Sequence, residues 1–527
     1  MTRIGTSQRP GADDETASAG QPRPPGFRLW PPELPWDFSA ANARVRVVAA
    51  DVTPAALWRN HRLFTIAALL SILPRFVAAM GFKPALFIQD SFSYMQEGTH
   101  FNLGELRPAG YPVFLRVLEP FHSLLLVTTL QHIMGIALAA IVYGVLRSRG
   151  LPAWGATLAT VPTLFDSRQI WLESSILPDT LFTLVLLIAV AILIVRPKPS
   201  LWAAGIVGLL VAWASVIRGN GAPVFVIIVA FLVIRRVGWR VITACVTAFA
   251  VPLLAYMTWF YADFGTFNIT NSTGLFLWSR TMSFANCSVI KPPADLVPLC
   301  PEKQPGYTPA PAPAWSVDAV LAEKSPASYL WDPAAWWRVD AHPGVNPYNN
   351  KLAMRFAERA ILAQPQDYLK TVGEGVLVTF VGTDRSQSYL SDHFTVAPHV
   401  STLAPYMKSF EWRYAHTTQN THVHQPWAYL MFWYQLPVWF PGVAFLAVFV
   451  IGLGALIKRW RGWGVYAALA WGVGIVNLVL PIAAHELDYR YALSAVPFAC
   501  LALGLALNRE PTSGTGTGAG AKPLAEG

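Results

Sequence analysis

Charge is scarce in this chain of 527 residues: Asp, Glu, Lys and Arg together supply 13% of it, where an ordinary soluble domain carries roughly a quarter. That scarcity argues against a water-facing globule of this length. Signatures of nucleotide handling and of an activated serine are also missing. There is no Walker loop, no GxGxxG and no GxSxG, so nucleotide-driven transport and α/β-hydrolase chemistry lack support. The four cysteines form no CxxC pair and no Cys/His array with zinc spacing, which leaves a structural zinc site without ligands. No basic n-region followed by an apolar core opens the sequence, so Met1 to about Asn60 does not read as a cleavable signal peptide. No internal repeat is found.

What fills the chain instead is apolar. Hydrophobic residues make up 54% and the mean hydropathy is +0.40. Over half the residues lie in apolar runs of about 17 to 25, the length an α-helix needs to cross a hydrocarbon core. The expected fold class is an all-α polytopic membrane protein of about ten transmembrane helices. They are placed near 62–81, 122–146, 151–167, 175–195, 200–217, 221–235, 240–261, 436–457, 463–483 and 490–507. With the N-terminus inside, the connections Arg147–Arg149, Arg196–Lys198, Arg235–Arg240 and Lys458–Arg461 fall on the cytoplasmic side. All are basic and nearly free of acid, as the positive-inside rule expects. The net charge of +9 is thus a topology signal, not a nucleic-acid stripe.

The same threading sends Lys83–Pro112, Asp166–Ser174, Arg218–Asn220, residues 262–435 and His485–Arg490 to the outer face, so the mixed-charge loops converge there. The expected organisation is a disordered cytoplasmic tail (1–60), a transmembrane module (61–261) with the outer loop 83–112 and amphipathic helices in it, a large mixed extracytoplasmic segment (262–435), C-terminal transmembrane helices (436–507) and a second cytoplasmic tail (508–527). Localisation follows as a multi-pass plasma-membrane protein with both termini inside. Within 262–435, Pro292–Pro313 reads as an irregular arm. Leu352, Phe356 and Ala360 recur at helical spacing over 347–364, and 368–380 reads as a second helix lying on the membrane. The Trp and Tyr between Trp412 and Trp439 fit an interfacial belt. Asn268 and Asn271 begin glycosylation triplets. Cys245 and Cys500 read as buried thiols, while Cys287 and Cys300, thirteen positions apart in the outer segment, read as a disulfide where the compartment is oxidising.

Few charges mean that chemistry concentrates where they cluster. Asp90 in FIQDSFSYMQEG reads either as a catalytic carboxylate or as the N-cap of the helix that follows, and Glu97 further along that helix reads as a sugar-binding group or as part of a solvated face. Arg107, Arg168, Arg218 and Arg490 are candidates for holding an anionic headgroup, or for snorkelling to the interface. Asp179 lies inside an apolar run, where a lone charge is costly. His485 and Glu486 suit an orienting pair or a divalent ion. In RPAGYP (Arg107–Pro112), two prolines and a glycine set a turn, with Arg107 and Tyr111 facing the cavity. Tyr94, Glu173 and Tyr491 complete the candidate substrate-binding set.

Asp90 with Tyr94, RPAGYP, the Asp of LPDTLFTLVLL (Leu177–Leu187) and the late HELDYRYALSAVPF (His485–Phe498) together resemble the type C glycosyltransferases, in the branch of protein O-mannosyltransferases and lipid A aminoarabinose transferase. These marks cover about 60–200 and 465–507. Asp90 is followed by Ser91 where protein mannosyltransferases commonly have Glu, and 262–435 matches nothing in the family. The resemblance implies transfer of one sugar from a polyprenyl-phosphate donor to a hydroxyl acceptor, usually with inversion, and with Asp90 as the base. A lipid phosphate is a stable leaving group, so a second carboxylate is not required as it is in a glycosidase. It implies no certain cofactor, a divalent cation being possible, and it names the bilayer but no nucleic acid as partner. A transporter or flippase of lipid-linked glycans is the alternative, although its ionisable groups belong near the midplane.

Overall fold

The computed structural model describes residues 54–100, 103–196, 198–307, 325–339, 341–381, 394, 421–458 and 464–508. Nearly all of the two expected tails, the end of the Pro-rich arm, most of the loop after Lys458 and the start of the Trp412–Trp439 belt lie outside the described residues.

Helix α1 (Pro54–Gly81) leads through β1 (Phe82–Lys83) to α2 (Gln89–His100) and α3 (Gly110–Leu118). Next come α4 (Leu124–Ser148), the short α5 (Ala153–Leu158) and α6 (Val161–Phe165), then α7 (Ser167–Ser174) and α8 (Asp179–Val195). Helices α9 (Leu201–Ile217), α10 (Gly221–Ile234) and α11 (Trp239–Phe264) end the first half. The outer segment holds α12 (Thr273–Thr281), α13 (Cys287–Ile290), α14 (Pro326–Leu330), α15 (Trp336–Val339), α16 (Pro347–Ala363) and α17 (Pro365–Val381). Then β2 (His422–Val423) and α18 (Trp427–Gln435) lead to α19 (Gly442–Lys458), α20 (Val465–Ala484), α21 (Tyr489–Leu493) and α22 (Val496–Leu507).

Among the described residues, five segments are long and apolar enough to cross a membrane: Trp58–Gly81, Leu124–Ser148, Trp239–Phe264, Val465–Ala484 and Tyr489–Leu507. Shorter apolar helices at Asp179–Val195, Leu201–Ile217, Gly221–Ile234 and Gly442–Lys458 stand among them. The span expected at 151–167 is two short helices instead, because Pro162 enters the first turn of α6 and cannot carry the hydrogen-bond ladder of α5 onward. Small residues let helices close up where lipid offers no hydrophobic drive. A side chain at Gly208 of α9 would stand 2.2 Å from the Cys245 carbonyl of α11.

The outer segment has a core of its own, with Trp278, Phe356, Trp336 and Trp337 buried together. The four-residue spacing of Leu352, Phe356 and Ala360 marks the buried face of α16. Helix α17 is packed against α19 and α20, with Phe380 against Phe445 and Phe449, and does not lie alone on a surface. Cys287 and Cys300 are bonded. Closing a loop of this size stabilises by about 3 kcal/mol, so the double variant C287S/C300S is expected to speed limited proteolysis between α13 and Gln304, with the membrane helices unaffected.

Three short ties connect the parts around Asp90. Phe82 pairs with Val423 and Lys83 with His422. Leu86 bridges Ser175, its N–H donating to Ser174 at 2.9 Å and its carbonyl accepting from Ile176 at 3.1 Å. Asn271 and Ser272 bond Glu105 and Leu106. Asn271 is fully buried in that contact, which withdraws its amide from any glycosylation.

Candidate active site

The starts of α2, α8 and α21 meet the ends of α9 and α20 at one end of the bundle. Helix α2 begins just after the Leu86–Ser175 bridge, and the RPAGYP turn brings α3 against the end of α9. Gly110 makes that approach possible, since a Cβ there would lie 2.6 Å from the backbone of Val216 and Ile217. Arg107 and Arg218 are thereby set on either side of one cavity.

Both oxygens of Asp90 face arginines. Arg107 Nη2 donates to Oδ1 at 2.5 Å and Arg490 Nη2 to Oδ2 at 2.8 Å, although Asp90 and Arg490 are 400 positions apart. The carboxylate therefore makes no N-cap bond; the N–H of Ile88 instead donates to Ser91 Oγ at 3.0 Å. Arg490 also contacts Asp488, Nε to Oδ2 at 2.5 Å, and its guanidinium lies 5.0 Å from the Tyr491 ring. Arg218 pairs with buried Asp179 and lies over the other side of the network at 4.3 Å from Tyr491. Arg107, Asp90, Arg490 and Asp488 thus alternate, and the Arg218–Asp179 pair joins them through the Tyr491 ring. Burial alone would raise the Asp90 carboxyl, but Arg107 and Arg490 together outweigh it and hold the group well below the usual carboxylate range.

These residues line a cavity of about 470 Å³, within the range of small-ligand sites. Asp90, Tyr94, Arg107, Asp179, Arg218, His485, Arg490 and Tyr491 all border it, and Ile217, Pro223, Met257 and Leu480 form an apolar wall on the helix side. Phe276 of α12 also borders it, 5.7 Å from Arg107 and 4.7 Å from His485 by ring centroid. His485 contacts Ser279 at 3.0 Å, and burial with nearby Arg107 lowers its pKa to about 3, so the ring is neutral. A larger apolar groove of about 900 Å³ between α5, α6, α19 and α22 has Asp166 as its one carboxylate among the described lining residues.

Other sequence candidates stand elsewhere. Glu173 is fully buried and takes Arg75 bidentately, at 2.8 and 3.0 Å, together with His132 at 3.0 Å and Gln169 at 3.1 Å. It closes an internal network and is not among the residues bordering the Asp90 cavity. Tyr111 is equally buried; its hydroxyl donates to Gln131 at 2.8 Å, and Gln131 holds the carbonyls of Glu173 and Ser175. Its ring supports Tyr94 edge-on at 5.3 Å, a packing role and not a cavity-facing one. Arg168 stacks between Trp439 and Tyr489, at 4.8 and 4.2 Å, outside the Asp90 cavity. Glu486 turns to the outer segment, accepting from Ser325 Oγ at 2.5 Å and Ala327 N at 3.2 Å. Glu97 lines a second cavity beyond Arg107.

Sequence reasoning missed Arg75 and Asp488. Arg75 is a charge inside an apolar helix, a signal that a partner must exist, and Asp488 sits within the HELDYR stretch. Asp90, Asp179 and Asp488 each face an arginine, and Glu486 accepts from Ser325. Among the described residues, the single group of three ligand-type side chains within 4.8 Å is Cys287, Cys300 and Glu302, two of which form the disulfide.

No protein-family model and no curated protein matches the chain. Among solved structures, the crystal structure of ArnT from Cupriavidus metallidurans in the apo state aligns over 86% of this chain and 78% of that one, at 15% identity and a TM-score of 0.31. That score is too low to equate the two folds.

Proposed function

We propose that this protein transfers a single sugar from a polyprenyl-phosphate donor to a hydroxyl acceptor at the extracytoplasmic face, with Asp90 as general base. The observation that carries the reading is the composition of one cavity. A carboxylate gripped by two guanidiniums stands where a third arginine and an apolar wall of Ile217, Pro223, Met257 and Leu480 converge. Such a wall suits the first isoprene units of a lipid, and the arginines suit its phosphate.

In the reaction, the acceptor oxygen bonds to the anomeric carbon as the bond from that carbon to the phosphate oxygen breaks. The electron pair stays on the prenyl phosphate, and the acceptor proton passes to Asp90. Attack opposite the leaving group inverts the anomeric centre. With every cavity arginine engaged by an aspartate, an incoming phosphate competes with Asp90 for Arg490 and Arg107. The donor thereby loosens the grip on the carboxylate and raises its basicity at the moment a base is needed. The order of binding is then donor before acceptor.

Turnover tests the reading. Purified full-length protein in nanodiscs, supplied with farnesyl-phosphate hexoses and pentoses and with octyl glycosides as acceptors, is expected to release farnesyl phosphate and form a new glycoside. Absence of release from every donor would overturn it. A transporter would move the lipid-linked sugar across the bilayer with its glycosidic bond intact.

A further inference from the structure

We infer that the cavity bordered by Glu97 and Glu105 is the acceptor subsite and that it takes a polyhydroxylated glycan. The inference rests on the transferase reading above and assigns the second substrate to a place.

Helix α2 carries Asp90, Tyr94 and Glu97 at i, i+4 and i+7, one face of a helix. Arg107 stands between the two acids, bonded to Asp90 and near enough to Glu97 to act on it electrostatically. Next to the Asp90 cavity, with which it shares Leu106 as a lining residue, lies a cavity of about 500 Å³ bordered by Ser93, Gln96, Glu97, Leu103, Glu105 and Phe264, among others. It lies between the first loop and the outer segment, away from the apolar wall of the Asp90 cavity. Its polar side chains are carboxyls, a hydroxyl and an amide, the groups that bind sugar hydroxyls. Leu103, Leu106 and Phe264 offer an apolar face for the C–H side of a ring. No Lys or Arg lines it among the described residues, which disfavours an anionic acceptor.

A second observation points to a ligand. Among the described residues, Glu97 Oε2 is shut off from solvent and has no hydrogen-bond partner. A buried polar atom left unpaired costs about 1–3 kcal/mol and calls for an explanation. Gly104 packs so tightly on this carboxyl that a Cβ there would come within 1.9 Å of Oε1, so the chain makes room for the acid where it stands. Burial raises the Glu97 carboxyl to about 8 against the pull of Arg107, which gives it an O–H to donate as well as an oxygen to accept. Glu105 is fixed beside it by Asn271 Nδ2 at 2.8 Å. An acceptor hydroxyl held by Glu97 leaves its neighbours on the ring free to reach past Arg107 towards Asp90.

The test separates the two substrates. With the farnesyl-phosphate donor and octyl glycoside pair that turns over, E97A and E105A are each expected to raise the KM for the glycoside at least tenfold while the donor KM stays within twofold. G104A, which displaces the Glu97 carboxyl without removing it, is expected to act in the same direction and serves if E97A does not fold, as judged by gel filtration. Unchanged glycoside KM in E97A, E105A and G104A, with farnesyl phosphate release still dependent on Asp90, would overturn the subsite and leave the transferase reading standing. Transfer to a serine peptide but to no glycoside would overturn the glycan assignment. Loss of Asp90-dependent release in the parent protein would remove both.

Discussion

Asp90→Asn is expected to lower sugar transfer by about 10² to 10⁴, the usual contribution of a positioned general base, with the protein still folded and still binding prenyl phosphate. Asparagine keeps the shape and one acceptor oxygen for Arg107 or Arg490 but cannot take a proton. The measurement is single-turnover release of farnesyl phosphate, beside a melting curve showing intact structure. A variant that turns over at the parent rate would leave Asp90 as a structural anion. The pH profile provides an independent check. A free aspartate titrates near pH ~4, but here the two arginines outweigh burial and depress the carboxyl. Because the depressed group stays ionised until pH falls through its folded value, kcat/KM of the parent for the donor, which reports the free enzyme, is expected to show no acid limb from this group near pH ~4. Arg490→Ala leaves burial less opposed, so the limb should move upward in pH.

Glu173→Ala is expected to have the largest effect on stability, about 3–5 kcal/mol, since removing one member of a buried ion pair strands its partner. Arg75 lies inside α1 with its side chain almost wholly buried, and loss of Glu173 leaves it only backbone carbonyls, those of Ser71 and Leu164 among them. His132 loses its contact as well. The expected readout is loss of folded protein on extraction and a large fall in melting temperature. The double variant R75M/E173L, which removes both charges, is expected to recover most of the loss, because an apolar pair of similar volume often replaces a buried ion pair at little cost. If E173A melts like the parent, the network does not hold the helices together.

The sequence made the cavity's chemistry legible but not its wiring. Asp90, Arg107, Asp179, Arg218, His485 and Arg490 stand out because an apolar chain spares few charges, and those six border one cavity. Which acid meets which arginine was beyond reach: Asp90 to Arg490 spans 400 positions, and no local pattern encodes a contact of that range. Tyr111 and Glu173 stand outside that cavity for a related reason. Both lie within five positions of cavity residues, but the backbone turns them towards Gln131 and Arg75. The span at 151–167 failed because hydropathy averages over a window and does not register that Pro162 interrupts the backbone ladder. In α16 the periodicity sufficed, since an amphipathic helix writes its buried face directly into its spacing.

The segment bearing Asp90 has very little mechanical slack. The strand pair at Phe82–Lys83, the bridge at Leu86 and the two guanidinium contacts pin a stretch of nine residues at several points. A tether so short gives the carboxylate no room to swing towards an incoming molecule, so both reactants must travel to it. Distant damage to those pins, at Val423 or Ser175, would accordingly degrade catalytic alignment while sparing every group that touches a substrate.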